Sequence, residues 1–189
     1  FKVHPRQYLS TNTEGYGLFV FDGYLPPEPP PGQLLVFNPP DSVLAAVQSE
    51  LSAPKITSWD RQSPLLRFVD FNDVHIGRAR SLTKPGWAQT LLASGDRPLI
   101  LQGAYKGSRA VIFAFDVHQS DLPLKTSFPI LIANSINYLT SAGAADIQAP
   151  AAGGILVINP VPGAEEVRVR KPDGTTATWK VQGRELAFK

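Results

Sequence analysis

At 189 residues, with a net charge of +2 made of well-mixed signs, the chain can build one core and a small appendage and shows no charge excess of the kind that draws proteins to nucleic acid. It has no cysteine, which excludes disulfides, thiolate catalysis and cysteine-ligated zinc. No apolar run approaches the ~20 residues a membrane-spanning helix requires.

Residues 1–4 are a short strand candidate closed by Pro5, and 8–14 are polar and loop-like. Because Phe1-Lys2-Val3 reads as the interior of a strand and the chain has no methionine, it is taken as a piece of a longer protein. Residues 17–23, nearly all apolar and ending in Asp22-Gly23, read as a strand buried on both faces of a parallel sheet. Five prolines between Pro26 and Pro31 then predict a stiff extended connector. Residues 34–38 are a second buried strand, stopped by Pro39-Pro40. Asp41 or Ser42 then caps a predicted helix through about Leu51, with Val43, Leu44, Val47 and Leu51 at helical spacing.

Residues 55–60 are a short strand candidate, and Ser63-Pro64 opens a helical turn. Residues 78–82 alternate like an exposed edge strand; Arg78, Arg80 and Lys84 form the nearest approach to a basic cluster and are read as a solvated edge. Three strands follow at 88–93, 98–102 and 109–116, joined by short glycine-bearing links that predict antiparallel hairpins.

The organising stretch is 108–143: a buried strand, a polar turn with one histidine and two aspartates, and an apolar helix from near Thr126 to Thr140. The fold class predicted is α/β, a mixed and largely parallel sheet flanked by helices, with the strands at 18–21, 34–37 and 110–115 central. The domains predicted are 1–143, a linker at 144–154 rich in Ala, Gly and Pro, and a small all-β unit at 155–189, a β-sandwich-like fragment or meander of four short strands at 155–159, 167–170, 176–181 and 185–188 with Trp179 in its core.

Three segments, 16–40, 64–82 and 113–139, resemble a region of bacterial membrane proteins that contain a von Willebrand factor A domain, similar to the Bat-type aerotolerance proteins. The resemblance implies a class I glutamine amidotransferase-like (flavodoxin-like) domain lying after the von Willebrand domain, with membrane helices at both ends of the parent chain. It places this domain at the bacterial cell membrane through flanking segments, itself soluble and extracytoplasmic. Amidotransferases of that class set a cysteine in a tight strand-to-helix turn. Here the turn is Asn38-Pro39-Pro40-Asp41-Ser42, where Ser42 occupies the degenerate nucleophile position and is better explained as a helix cap. The later histidine is kept as His118 after the strand ending at Asp116, but a histidine without its nucleophile cannot transfer acyl groups.

Asp73-Val74-His75 and Asp116-Val117-His118 share a pattern, with Asp70 before the first and Asp121 after the second. Ligand or metal candidates are therefore Asp116, His118 and Asp121, with His75 as a further member, at the strand-end position where α/β ligand sites form. The competing reading is structural: these groups accept from backbone amides and hold the entrance to the helix.

The function predicted is a non-catalytic binding or assembly module of a membrane-anchored von Willebrand factor A-type protein. Its alternatives are a small-ligand sensor or a metal-dependent hydrolase using Asp116, His118 and Asp121. No cofactor is expected. The partners expected are proteins or other domains of the same chain, the membrane only through segments outside this sequence, and no nucleic acid.

Overall fold

The computed structural model of the chain describes residues 1–141, 156–158, 166–170, 175–180 and 186–188. It divides into two compact units, Phe1–Thr140 and Ser141–Lys189.

The first unit is built on a six-stranded sheet. Its strands are β1 (Leu18–Asp22), β2 (Gln33–Phe37), β4 (Ser58–Trp59), β6 (Ala88–Ser94), β7 (Arg97–Tyr105) and β8 (Ser108–Phe113), in the spatial order β1-β2-β8-β7-β6-β4. β1, β2 and β8 are parallel, whereas β8, β7, β6 and β4 pair antiparallel. A second pair, β3 (Val47–Ser52) with β5 (Arg78–Leu82), is antiparallel. One α-helix, α1 (Ser127–Thr140), completes the unit.

β2 and β8 show why the middle of the sheet is apolar without interruption. Strand alternation sends Leu35, Phe37, Val111 and Phe113 into one core with Leu131 and Leu139 of α1. Leu34, Val36, Ala110 and Ile112 enter a second core on the opposite face, with Phe21, Leu44 and Leu82. Both strands are thus buried on two sides. α1 carries Leu131, Ser135 and Leu139 at four-residue spacing on its buried face. Its C-terminal end is held by Arg109, whose Nη1 donates to Tyr138 O at 2.6 Å.

Several expectations are corrected. The sheet is mixed, but it is not a helix-flanked α/β fold: strands predominate and α1 is the only α-helix among the described residues. The proline-rich connector leads from β1 to its parallel neighbour β2 without a helix, because prolines in series remove the amide donors a helix needs. The helix expected from Asp41 or Ser42 to Leu51 is a loop followed by β3. Asp41 Oδ1 accepts from Val47 N–H at 2.9 Å and closes the loop, Leu44 and Ala45 are buried, and Val47–Ser52 pairs with β5. β1 is an edge strand rather than a central one, with Val20 59% exposed. β5 forms as expected, but Ala79, Ser81 and Leu82 are buried rather than exposed. Residues 1–4 form no strand; a 3-10 turn, Pro5–Ser10, follows them.

In the second unit, β9 (Leu156–Ile158) pairs antiparallel with β12 (Leu186–Phe188), and β10 (Glu166–Arg170) pairs antiparallel with β11 (Thr176–Lys180). The four strands expected there are present. Trp179, expected in the core, is 37% exposed. The linker expected at 144–154 lies outside the described residues.

Candidate functional site

β8 ends at Phe113, and the chain reaches α1 through two short 3-10 turns, Val117–Gln119 and Leu122–Leu124. Asp116 caps the first: its Oδ1 accepts from His118 N–H at 2.8 Å and lies 3.0 Å from His118 Nδ1. Gln119 N–H donates to Asp116 O at 3.0 Å, so the turn closes on Asp116 from both its backbone and its side chain. This is a local turn, and it takes Asp116 and His118 out of the strand geometry that would place them on one side of a sheet.

Asp121 does something different. Its Oδ1 accepts from the backbone N–H of His75 at 2.7 Å, and its Oδ2 lies 3.0 Å from His75 Nδ1. Asp121 N–H in turn donates to His75 O at 3.0 Å, and Gly77 N–H donates to Gln119 O at 2.7 Å. Ile76 and Ser120 form a β-bridge between these contacts. The loop before α1 is therefore stitched to the segment before β5 by four contacts in a row. Gly77 lets the two backbones approach closely, since a Cβ there would sit 3.0 Å from Gln119 O and push it back by a few tenths of an ångström. Lys125 Nζ approaches Asp121 Oδ2 at 3.6 Å. The His75 amide does most to hold the Asp121 carboxyl below its usual range; desolvation opposes it, and the His75 ring and Lys125 add smaller downward effects.

Because a carboxylate only accepts, the hydrogen sits on Nδ1 of both imidazoles and each Nε2 is left for solvent or a ligand. The two side chains are 85% and 77% exposed, for His75 and His118 respectively. Asp116, His118, Asp121 and His75 thus lie in one loop region but form two separate pairs. Among the described residues, no three His, Asp or Glu side chains gather as a metal ligand set. Ser42 stands apart: its hydroxyl donates to Ala45 O at 3.4 Å, within its own loop and not to a histidine.

Two features escaped the sequence reading. Asn38, the residue after β2, adopts φ 47°, donates from its N–H to Phe113 O at 2.9 Å, and accepts from Arg80 Nε at 3.1 Å on its side-chain oxygen. The Asn-Pro pair marks a turn but not its left-handed start. The second is a cavity of about 590 Å³ beside His75, lined by Lys55, Ile56, Trp59, Phe71 and Val74 among others. Trp59 meets Phe71 edge to face at 5.9 Å, and Arg61 lies 4.8 Å from the Trp59 ring centre. These walls come from positions 53 to 77, and only His75 had been singled out among them.

No family model matches the chain, and no curated protein does. Among solved structures it is similar to two cytoplasmic proteins of Salmonella typhimurium, with TM-scores of 0.47 and 0.46 and identities of 14% and 13%. In both, 57% of this chain and 55% of the other are covered, so the chain spans little more than half of their length. A beta-galactosidase from Bacillus circulans sp. alkalophilus is similar at a TM-score of 0.40 and 12% identity, over 82% of this chain and 29% of the enzyme. Likeness at this level assigns neither a family nor an activity. Among the described residues, no helix is long and apolar enough to cross a membrane.

Proposed function

We propose that this chain is a non-catalytic binding and assembly module of a bacterial membrane-anchored protein that also carries a von Willebrand factor A domain. The observation that supports the non-catalytic reading is the employment of both carboxylates. Asp116 and Asp121 each accept from a backbone amide, at 2.8 and 2.7 Å, so both are engaged in fixing loops. Ser42, the hydroxyl at the nucleophile position the resemblance implies, donates to a backbone carbonyl of its own loop, Ala45 O, rather than to an imidazole. The parentage rests on the segments 16–40, 64–82 and 113–139, and with it come attachment through flanking segments and an extracytoplasmic position. Its partners are then proteins, or other domains of the same chain.

A small-ligand sensor is the second reading, and the cavity beside His75 favours it. Purified protein supplied with glutamine, nitrophenyl acetate or nitrophenyl phosphate, with and without magnesium, manganese or zinc, is expected to show no turnover above buffer. Turnover abolished by His118→Ala or Asp116→Ala overturns the proposal. The parentage is checked in the complete gene, where an upstream Asp-x-Ser-x-Ser motif and flanking apolar stretches of ~20 residues are expected. A gene with neither removes it.

A further inference from the structure

We propose that the open edge of β1 takes up an extended, uncharged, largely apolar segment of a partner protein as an added strand. The inference rests on the reading of the chain as a binding module and names the surface and the partner that reading leaves unspecified.

The two edges of the sheet are treated differently. β4 ends the antiparallel side with only two residues, Ser58–Trp59, too short to template another strand. β1 ends the parallel side with five, Leu18–Asp22, without a proline, a lysine or a bulge against β2, and its one charge is Asp22 at the strand's last position. Its hydrogen-bonding phase is fixed at both ends. Gly17 O accepts from Gln33 N–H at 2.8 Å, and Gly23 N–H donates to Phe37 O at 2.9 Å. With a period of two, the backbone groups of Phe19 and Phe21 also face β2, and those of Leu18, Val20 and Asp22 face outward. Among the described residues, these outward groups have no backbone partner.

Beside this row of donors and acceptors stands a wall made by the N-terminal segment. Phe1 stacks on Tyr16 with ring centres 6.2 Å apart, and Tyr8 meets Phe21 at 5.5 Å and Tyr24 at 5.8 Å, edge to face. Between wall and strand lies a cavity of about 590 Å³. That falls in the range of ~300–1,000 Å³ typical of ligand clefts, a size for a few residues of one chain rather than for the sheet of a second copy. The side chains lining it bear one cation, Lys2, and one anion, Asp22. The charge is balanced, so the groove complements a neutral segment better than an acidic or basic one. An extended backbone satisfies the outward groups while its alternate side chains meet the aromatic wall.

The test uses a fluorescein-labelled peptide of alternating valine and threonine, bracketed by one lysine and one glutamate, in a polarisation titration. Saturable binding is expected, and the same peptide N-methylated at alternate residues on one edge should bind at least tenfold more weakly. Val20→Pro removes an outward N–H that β2 does not use, so it should also weaken binding at least tenfold while melting near wild type. Phe19→Pro removes an inward donor and should melt well below it. No saturable binding to wild type, or equal affinity for the methylated peptide, overturns the inference whatever Val20→Pro does to folding. A dimer that disperses in Val20→Pro overturns it in favour of a second copy. None of these results touches the non-catalytic reading, which falls only to turnover.

Discussion

The sequence holds two Asp-Val-His passages, and the fold uses their histidines in opposite ways. His118 is bound by Asp116 from two residues upstream, and the pair closes a single turn. His75 ignores its own Asp73 and is bound by Asp121, forty-six residues downstream, so that pair joins two loops, beside the bond from Gly77 N–H to Gln119 O. The distances are nearly alike. What differs is the length of chain each contact closes, and hence the entropy that its loss returns to the chain. The local pair shapes a turn; the distant one decides where the turn lies.

The sharpest test of that contrast is Asp121→Ala. It leaves the His75 amide without its acceptor and frees Lys125, and with Asp121 partly exposed a loss on the order of 1–2 kcal/mol is expected in urea unfolding. Asp116→Ala removes a turn cap and should cost less, about 0.5–1 kcal/mol, because the contact it loses closes only a two-residue stretch of chain. Equal costs for the two variants would mean that loop closure adds nothing to the distant pair.

A third comparison follows pH. The folded Asp121 carboxyl lies below its usual range, chiefly through the His75 amide. A depressed carboxyl contributes stability that is complete above the unfolded value, about 4, and is lost as pH falls through the folded one. The stability gap between wild type and Asp121→Asn should therefore be constant near neutrality and narrow below about pH 4. A gap that stays constant down to acid unfolding would show that the carboxylate charge is not what the His75 amide uses.

How much of this was legible depends on the range of the contact. The runs that became β2, β7 and β8 and the helix α1 were readable because burial on two faces, or on one helical stripe, is written locally. Residues 41–51 were not. Val43, Leu44, Val47 and Leu51 fit a helical stripe, yet Val47 and Leu51 also fit a strand face, and the deciding facts were β5 and the closure of Asp41 on Val47. β1 failed in a related way: a continuous apolar run says a strand is hydrophobic, not that it has neighbours on both sides. At the site, nearness in sequence grouped Asp121 with Asp116 and His118. The partner it meets is set by the register of Ile76 against Ser120, which no local pattern records.

The smallest expected effect concerns the rings themselves. In both pairs the structural bond runs from a backbone N–H to the carboxylate, and the imidazole adds a second contact from a side chain that is mostly in water, 85% exposed for His75 and 77% for His118. An exposed pair of this kind is worth ~0–1 kcal/mol and weakens with salt. His75→Ala and His118→Ala keep the backbone amides, so both should lie within about 0.5 kcal/mol of wild type. If either differs at all, His75→Ala should show it, because its ring contact also spans the two loops. The measurement is urea unfolding of both variants at low and high salt. A loss from His75→Ala as large as that from Asp121→Ala would move the tie from the backbone to the ring, and would make the exposed imidazole, rather than the carboxylate, the element that sets the loop.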